Sequence, residues 1–373
     1  TTGTGGTFAF LGGGLVSGAN AQASLTIFPS SSTVTVGGAV DLGSVGGVSV
    51  KSGLAGTLQI NSGGSIITNA PNYQSSSSLV YNTGTTYNAG TEWTTASASA
   101  QGVPNAVTIQ GNTSLNFGSS AAYRQANGLV TIASGCSLTL SSSVGGDLKV
   151  GGGSGTGLTN SGTFSTNGRA LWWVGTSTGT YTKTGGGTDN IDIFIHNSGS
   201  AFNLASGANA TNWTMVSTGA TTASCVQIQN TGSLYLDANT LTIPNNGTIY
   251  VTGASATIGG VSTSTPGIIN FAGIGNITPV TSGTSQITPS ANTRIQLNGQ
   301  LVIGGTAGTP ALATSGLVRI NQGGYVDNTG GTGIPIKYNS GSTLEYNHTS
   351  GTYGVQATEW PATNSPSNVT VYA

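Results

Sequence analysis

Nine carboxylates are all the acid this chain offers: Asp41, Glu92, Asp147, Asp189, Asp192, Asp237, Asp327, Glu345 and Glu359. Cleaving a polysaccharide needs two carboxyl groups facing each other, or carboxylates holding calcium beside a base. Only Asp189 and Asp192 lie close, in Thr188-Asp189-Asn190-Ile191-Asp192-Ile193-Phe194-Ile195-His196. Asp192 and His196 share a face if this run is extended, because strand side chains alternate. The spacing matches no catalytic motif and reads instead as a capped turn entering a buried strand. Gly-Gly-x-Gly-x-Asp calcium repeats do not occur. His196 and His348 are the only histidines, so histidine-based catalysis is poorly supplied. No Walker or Rossmann glycine motif is present. The sequence therefore assigns no catalytic residue, no metal ligand and no cofactor, and reads as a non-enzyme.

Two Glu-Trp pairs stand out, Glu92-Trp93 and Glu359-Trp360. A catalytic reading makes each Glu a general acid beside a sugar-stacking Trp. One Glu without a partner carboxylate cannot complete glycoside hydrolysis. The pair reads better as a fastener, with Trp packed on the body and Glu bonding backbone amides. Trp172 and Trp173 are adjacent, so in a strand one of them faces outward. With Trp213 they form the candidate contact surface, for a sugar ring or a neighbouring filament.

The elements that must carry these residues are strands. Only 5% of the 373 residues are charged, against the quarter usual for globular domains. Net charge is −1, hydrophobic residues reach 36%, and glycine numbers 62. Disorder needs low hydrophobicity and high charge, so this composition argues for folding. A near-neutral chain has no electrostatic pull toward nucleic acid, and no apolar run is long enough for membrane insertion. The apolar stretch from Thr7 to Val16 is short and follows no basic residue, so it is not read as a signal peptide. Cys136 and Cys225 read as small buried hydrophobes, with a disulfide left open.

Short alternating runs recur, each closed by a glycine turn. Leu58-Gln59-Ile60-Asn61 precedes Ser62-Gly63-Gly64, and Leu129-Val130-Thr131-Ile132 precedes Ala133-Ser134-Gly135. Asn-Gly turns stand at Asn127-Gly128, Asn167-Gly168, Asn246-Gly247 and Asn298-Gly299. Such punctuation marks an all-β chain. Monotonous turns, polar Ser/Thr/Asn ladders and scarce charge favour a β-solenoid rod, of the parallel β-helix kind, with about 20 residues per coil. Stacked β-sandwich domains are the alternative.

A long internal repeat is the most specific signal. Leu79-Val80-Tyr81-Asn82, then Glu92-Trp93 and Pro104, is matched by Leu344-Glu345-Tyr346-Asn347, then Glu359-Trp360 and Pro366. Ile320 follows Ile60 by 260 positions, and Trp360 follows Trp93 by 267. The division that follows is 1–78 as the β-rich end of one unit, 79–343 as a full unit, and 344–373 as the start of the next or a joining segment.

The run from Leu79 to Ile109 resembles a motif of very large secreted surface proteins of Bacteroidetes, especially gliding flavobacteria. Gly128-Leu129-Val130-Thr131-Ile132, Gly146-Asp147-Leu148-Lys149-Val150 and Asn160-Ser161-Gly162-Thr163-Phe164 extend the similarity. It covers roughly residues 58–200 and 317–372. The resemblance implies type IX secretion and a place on the cell surface. The C-terminal sorting domain of such proteins is not seen, which points to an internal segment. Together these readings predict an extracellular structural or adhesive protein whose repeats pack end to end, with itself as partner. A glycan-binding surface module is the alternative, and a polysaccharide-active β-helix enzyme the weakest reading.

Overall fold

The computed structural model describes residues 7–10, 14–15, 33–41, 56–67, 69–95, 101–151, 157–184, 188–197, 200–206, 213–214, 224–229, 231–251, 256–260, 265–279, 286–306, 309–327 and 336–372. Every regular element among them is a strand, and the fold is a β-solenoid. Two compact units divide it: Thr1–Gly179 with Lys183–Asp189, and Thr180–Thr182 with Asn190–Ala373.

In the first unit, one column stacks Thr33–Val36, Thr57–Asn61, Ser78–Asn82, Ala106–Ile109, Val130–Ile132 and Gly157–Asn160, all parallel. A second column stacks Thr86–Asn88, Ser114–Asn116, Ser137–Thr139 and Thr163–Ser165. A third stacks Arg124–Ala126, Leu148–Val150 and Ala170–Trp173. The second unit has its own three columns. One runs through Gly267–Phe271, Thr293–Leu297, Leu317–Asn321, Thr343–Asn347 and Asn368–Tyr372. Another runs from Ile193–His196 to Tyr325–Asp327, and the third from Ala201–Ser206 to Ile336–Tyr338. Sandwiches would pair their strands antiparallel, whereas these columns are parallel.

The alternation read from sequence decides what is inside. Leu58, Leu79, Val107, Val130 and Leu158 occupy one register position on successive coils, and all are buried. Gln59, Val80, Thr108, Thr131 and Thr159 occupy the position between and point outward. The second unit stacks Ile243, Phe271, Leu297, Ile320 and Tyr346 inward in the same way. Burying each such side chain stabilises by about 1.5–3 kcal/mol.

Coils range upward from the expected 20 or so residues. Thr57 to Ser78 spans 21 positions and Ala201 to Ser233 spans 32. The reason is that a coil can carry three strands: Ala106–Ile109, Ser114–Asn116 and Arg124–Ala126 precede the return to Val130. The sequence boundaries at 79 and 344 fall inside unbroken columns, since Ser78–Asn82 and Thr343–Asn347 are each paired on both sides.

Turn glycines are used identically in both repeat copies. Gly63 and Gly323 take φ of 77° and 80°, which L side chains rarely adopt. A Cβ on Gly64 would lie 2.0 Å from the Val36 carbonyl oxygen, and one on Gly324 would lie 2.4 Å from that of Leu297. Of the four Asn-Gly pairs, only Asn167 and Asn246 turn through positive φ among the asparagines. At the outer rim of the second unit an asparagine ladder climbs the coils. Asn347 donates to Asn321 at 2.8 Å, Asn321 to Asn298 at 2.8 Å, and Asn298 to Asn270 at 2.7 Å.

Core and ladder should differ measurably in thermal or urea unfolding. Ile320→Ala removes a buried stack member and is expected to cost about 2–5 kcal/mol. Asn321→Ala removes two half-exposed side-chain bonds and is expected to cost about 1–2 kcal/mol. A ladder loss larger than the core loss would contradict this ranking.

Candidate functional site

The repeat motif builds a lock around a buried carboxylate. Tyr81 points inward from Ser78–Asn82, and its hydroxyl donates to Glu92 Oε1 at 2.9 Å. The Gly90 N–H donates to the same oxygen at 2.7 Å. Tyr73 donates to the Glu92 carbonyl at 2.8 Å, and the Thr91 hydroxyl donates to the Ile66 carbonyl. Trp93 Nε1 donates to the Gln125 carbonyl at 2.8 Å, and its ring meets Phe117 edge-on at 5.2 Å. Arg124 lies over Phe117 at 4.8 Å and donates to the Ala89 carbonyl at 2.5 Å.

The second copy also buries its glutamate but bonds it through Tyr353, the counterpart of Tyr87, while the hydroxyl of Tyr346, the counterpart of Tyr81, makes no hydrogen bond. Thr358 donates to the Val326 carbonyl at 2.7 Å, as Thr91 does to Ile66. Glu359 accepts from the Tyr353 hydroxyl, from Val326 N–H at 3.1 Å and from Gln356 N–H at 3.2 Å. Tyr346 and Tyr353 stand 5.6 Å apart at 43°, against 5.5 Å and 47° for Tyr81 and Tyr87. Glu92 and Glu359 are both 0% exposed. A carboxylate so enclosed has no access to a polymer substrate, and the geometry is that of a fastener.

Burial governs the protonation of these groups. Desolvation pushes the Glu92 carboxyl up, opposed by its bonds from Gly90 and Tyr81 and by the nearby Arg124 charge. Burial lowers Arg124. Burial first, and Glu92 second, raise Tyr73, Tyr81 and Tyr87. Tyr346 is raised by burial and Glu359 in the same way.

The copies differ at the rim. Trp93 is 0% exposed, whereas Trp360, expected to pack against the body, is 45% exposed. Pro104 is buried and Pro366 half-buried. Asn82 stacks in register on Asn61, and Asn347 joins the asparagine ladder.

Of the adjacent tryptophans, Trp173 is buried and Trp172 faces out, half-buried. On its outer face Gln125, Lys149 and Trp172 occupy successive coils in one register row. Lys149 Nζ lies 3.7 Å from the Tyr123 ring centre and 5.1 Å from that of Trp172. Trp172 Nε1 donates to Asp147 at 3.2 Å, and the other Asp147 oxygen accepts from Ala170 N–H at 2.9 Å. Trp213 lies in a described strand, but its side chain falls outside the described residues.

The Asp189 region offers no open constellation. Asp189 is ion-paired with Lys183 at 2.9 Å and accepts from Asn160 at 2.7 Å. Asp192 and His196 are buried, with His196 on the inward side of Ile193–His196. No group of three metal-binding side chains comes together among the described residues. Cys136 is a buried free thiol, and the Cys225 side chain is outside the described residues.

Sequence reasoning missed the supporting tyrosines and Arg124. Tyr73 and Tyr338 each stand six positions before the repeat leucines Leu79 and Leu344, and both are buried. Extending the repeat alignment upstream would have found them. No protein-family model, curated protein or solved structure matches the chain.

The raised Glu92 carboxyl has a definite consequence for stability. Between its unfolded value, about 4.3, and its higher folded value, the folded state binds more protons than the unfolded one. Stability contributed here is therefore present below that window and lost as pH rises through it. Glu92→Gln keeps an acceptor for Tyr81 and Gly90. It should remove this fall and leave the protein more stable than wild type at neutral pH. Melting temperatures recorded across the acid-to-neutral range would show it. An unchanged pH profile would mean that Glu92 stays ionised in the lock.

Proposed function

We propose that the chain is an extracellular structural or adhesive surface protein, whose β-solenoid repeats pack end to end. The observation that carries this reading is the lock. Two sequence copies about 260 residues apart each enclose a fully buried glutamate that accepts from a tyrosine hydroxyl, Glu92 from Tyr81 and Glu359 from Tyr353. A repeated unit whose conserved chemistry is spent on fastening coils serves extension of a scaffold, not turnover. Scarce charge supports the reading, because like charges stacked in parallel columns repel. The sequence resemblance to giant surface proteins of Bacteroidetes supports the location.

Negative-stain electron microscopy of the purified chain tests it. Uniform filaments with an axial repeat are the expected outcome. A compact, monodisperse particle in microscopy and in solution scattering would overturn end-to-end packing.

A second reading, surface glycan binding, has one observation in its favour: the cluster of Trp172, Lys149 and Tyr123 with Asp147 beside it. Rings stack on sugar faces, and Lys149 and Asp147 supply polar partners. On that reading, retention on immobilised polysaccharides is lost in Trp172→Ala without a change in melting temperature. Equal retention of wild type and Trp172→Ala would remove Trp172 from any such site.

A further inference from the structure

Arg294 carries a charge that the fold leaves unanswered. It lies on the outward side of Thr293–Leu297, where buried and half-buried positions alternate. Its register neighbours are Ile268 on one coil and Leu317 on the next, so no carboxylate stands beside it in the row. Arg319, one coil further in the same column, is answered by Glu345 at 2.6 Å. The Arg294 guanidinium makes no hydrogen bond, ion pair or ring contact among the described residues, and its Nε is buried. A buried donor without an acceptor is costly, so one kept beside a groove is placed to take an acceptor from outside.

The groove supplies the remaining contacts of a ligand. Arg294 lines a cavity of about 280 Å³ in the second unit. Four successive coils build it, through Pro266, Asn292, Ser315 and Gly341 ahead of the paired strands. With coils about 4.8 Å apart, it runs roughly 14 Å along the stack. Asn292, Ser315 and Thr343 are half-buried, and their side chains make no hydrogen bond among the described residues. Leu317 sits in register between Arg294 and Thr343 and, with Pro266, gives the groove aliphatic surface. No carboxylate lines the cavity. Its last coil is open at Gly341, where an added Cβ would meet nothing within 4 Å.

One cation, three neutral groups that both donate and accept, and an aliphatic surface match a sugar ring that bears one carboxylate. A phosphate would call on several cations or main-chain N–H groups. We propose that this groove binds an acidic polysaccharide through a hexuronate residue. The planar fork of Arg294 takes both carboxylate oxygens, and Asn292, Ser315 and Thr343 take the ring hydroxyls. The length of the groove along the stack admits an extended polymer. The inference rests on the glycan-binding reading and names its sugar class, but it uses neither Trp172 nor end-to-end packing.

Isothermal titration calorimetry of the full chain with trigalacturonate tests it. The methyl ester of that trisaccharide, inorganic phosphate and an oligoglutamate peptide are the comparison ligands. Trigalacturonate should bind in preference to all three, and more weakly as salt is raised. Arg294→Gln should lower its affinity about tenfold or more, and Arg294→Lys, which keeps the charge but not the fork, should lower it by less. Thr343→Val should weaken binding at unchanged melting temperature. No binding at millimolar trigalacturonate, equal affinity for the ester, or tighter binding of phosphate or peptide would overturn the inference. So would full affinity in Arg294→Gln. If that variant fails to fold, wild-type affinity in both Arg294→Lys and Thr343→Val overturns it instead. Binding lost in Trp172→Ala and kept in Arg294→Gln would sustain glycan binding at the Trp172 cluster and overturn the Arg294 site. The reverse pattern would keep the Arg294 site and remove the other.

Discussion

Parallel, in-register stacking is the constraint on which everything else depends. Each residue of a coil lies about 4.8 Å from its register partner on the next, so every side chain must tolerate a neighbour chosen by position alone. Inward positions meet this with aliphatic and aromatic stacks such as Leu115, Leu138 and Phe164. Outward positions meet it with Thr, Ser, Asn and Gln, whose hydroxyls and amides serve as both donor and acceptor and so bond to their own kind. Two charged residues have a register neighbour that complements them. Arg319 lies directly beside Glu345 and bonds it at 2.6 Å, and Lys149 sits next to Trp172. A chain with 5% charged residues is the composition this rule selects.

The same rule makes long excursions a hazard, and the lock answers it. Between Ser78 and Ala106 the chain spends 28 positions on one coil, against 21 for the coil before. The excess must be held without a strand to hold it. Glu92 does so by gathering a backbone N–H and a tyrosine hydroxyl onto one buried oxygen, while Tyr73 ties the Glu92 carbonyl. Neutral donors suit this place, because a fully buried ion pair repays its desolvation only with faultless geometry. Arg124 lies near enough to influence Glu92 but spends its hydrogen bond on the Ala89 carbonyl and its face on Phe117. The lock is therefore mostly a hydrogen-bond knot inside an aromatic shell.

What could be read from the residues was whatever alternation and repetition encode. Inward and outward positions followed from Leu58-Gln59-Ile60-Asn61 and its kin, and glycine turns followed from pairs such as Gly63-Gly64. That exactly one of Trp172 and Trp173 faces out is parity; which one does depends on the register of Ala170–Trp173 against Leu148–Val150. The three-strand coil was hidden because short strands such as Ser114–Asn116 and Arg124–Ala126 carry too little pattern to be counted. Arg124 looked like one of eight scattered basic residues. Its role comes from the coil beneath it, which no local window contains. Trp360 was misjudged for the same reason, since its counterpart Trp93 is covered by residues more than twenty positions later in sequence.

That asymmetry gives the stack a direction. The carboxylate interior of each lock draws on its own coil and the one before: Tyr81 and Ile66 serve Glu92 and Thr91, and Val326 serves Glu359 and Thr358. The tryptophan rim draws on Tyr81 as well as on the coil that follows, through Phe117 and Gln125. Stability in such arrays is a sum of unit and nearest-neighbour contributions. Here the nearest-neighbour contribution mixes both kinds of contact, since Gln125 and Phe117 meet Trp93 from the later coil while Tyr81 meets it from the earlier strand.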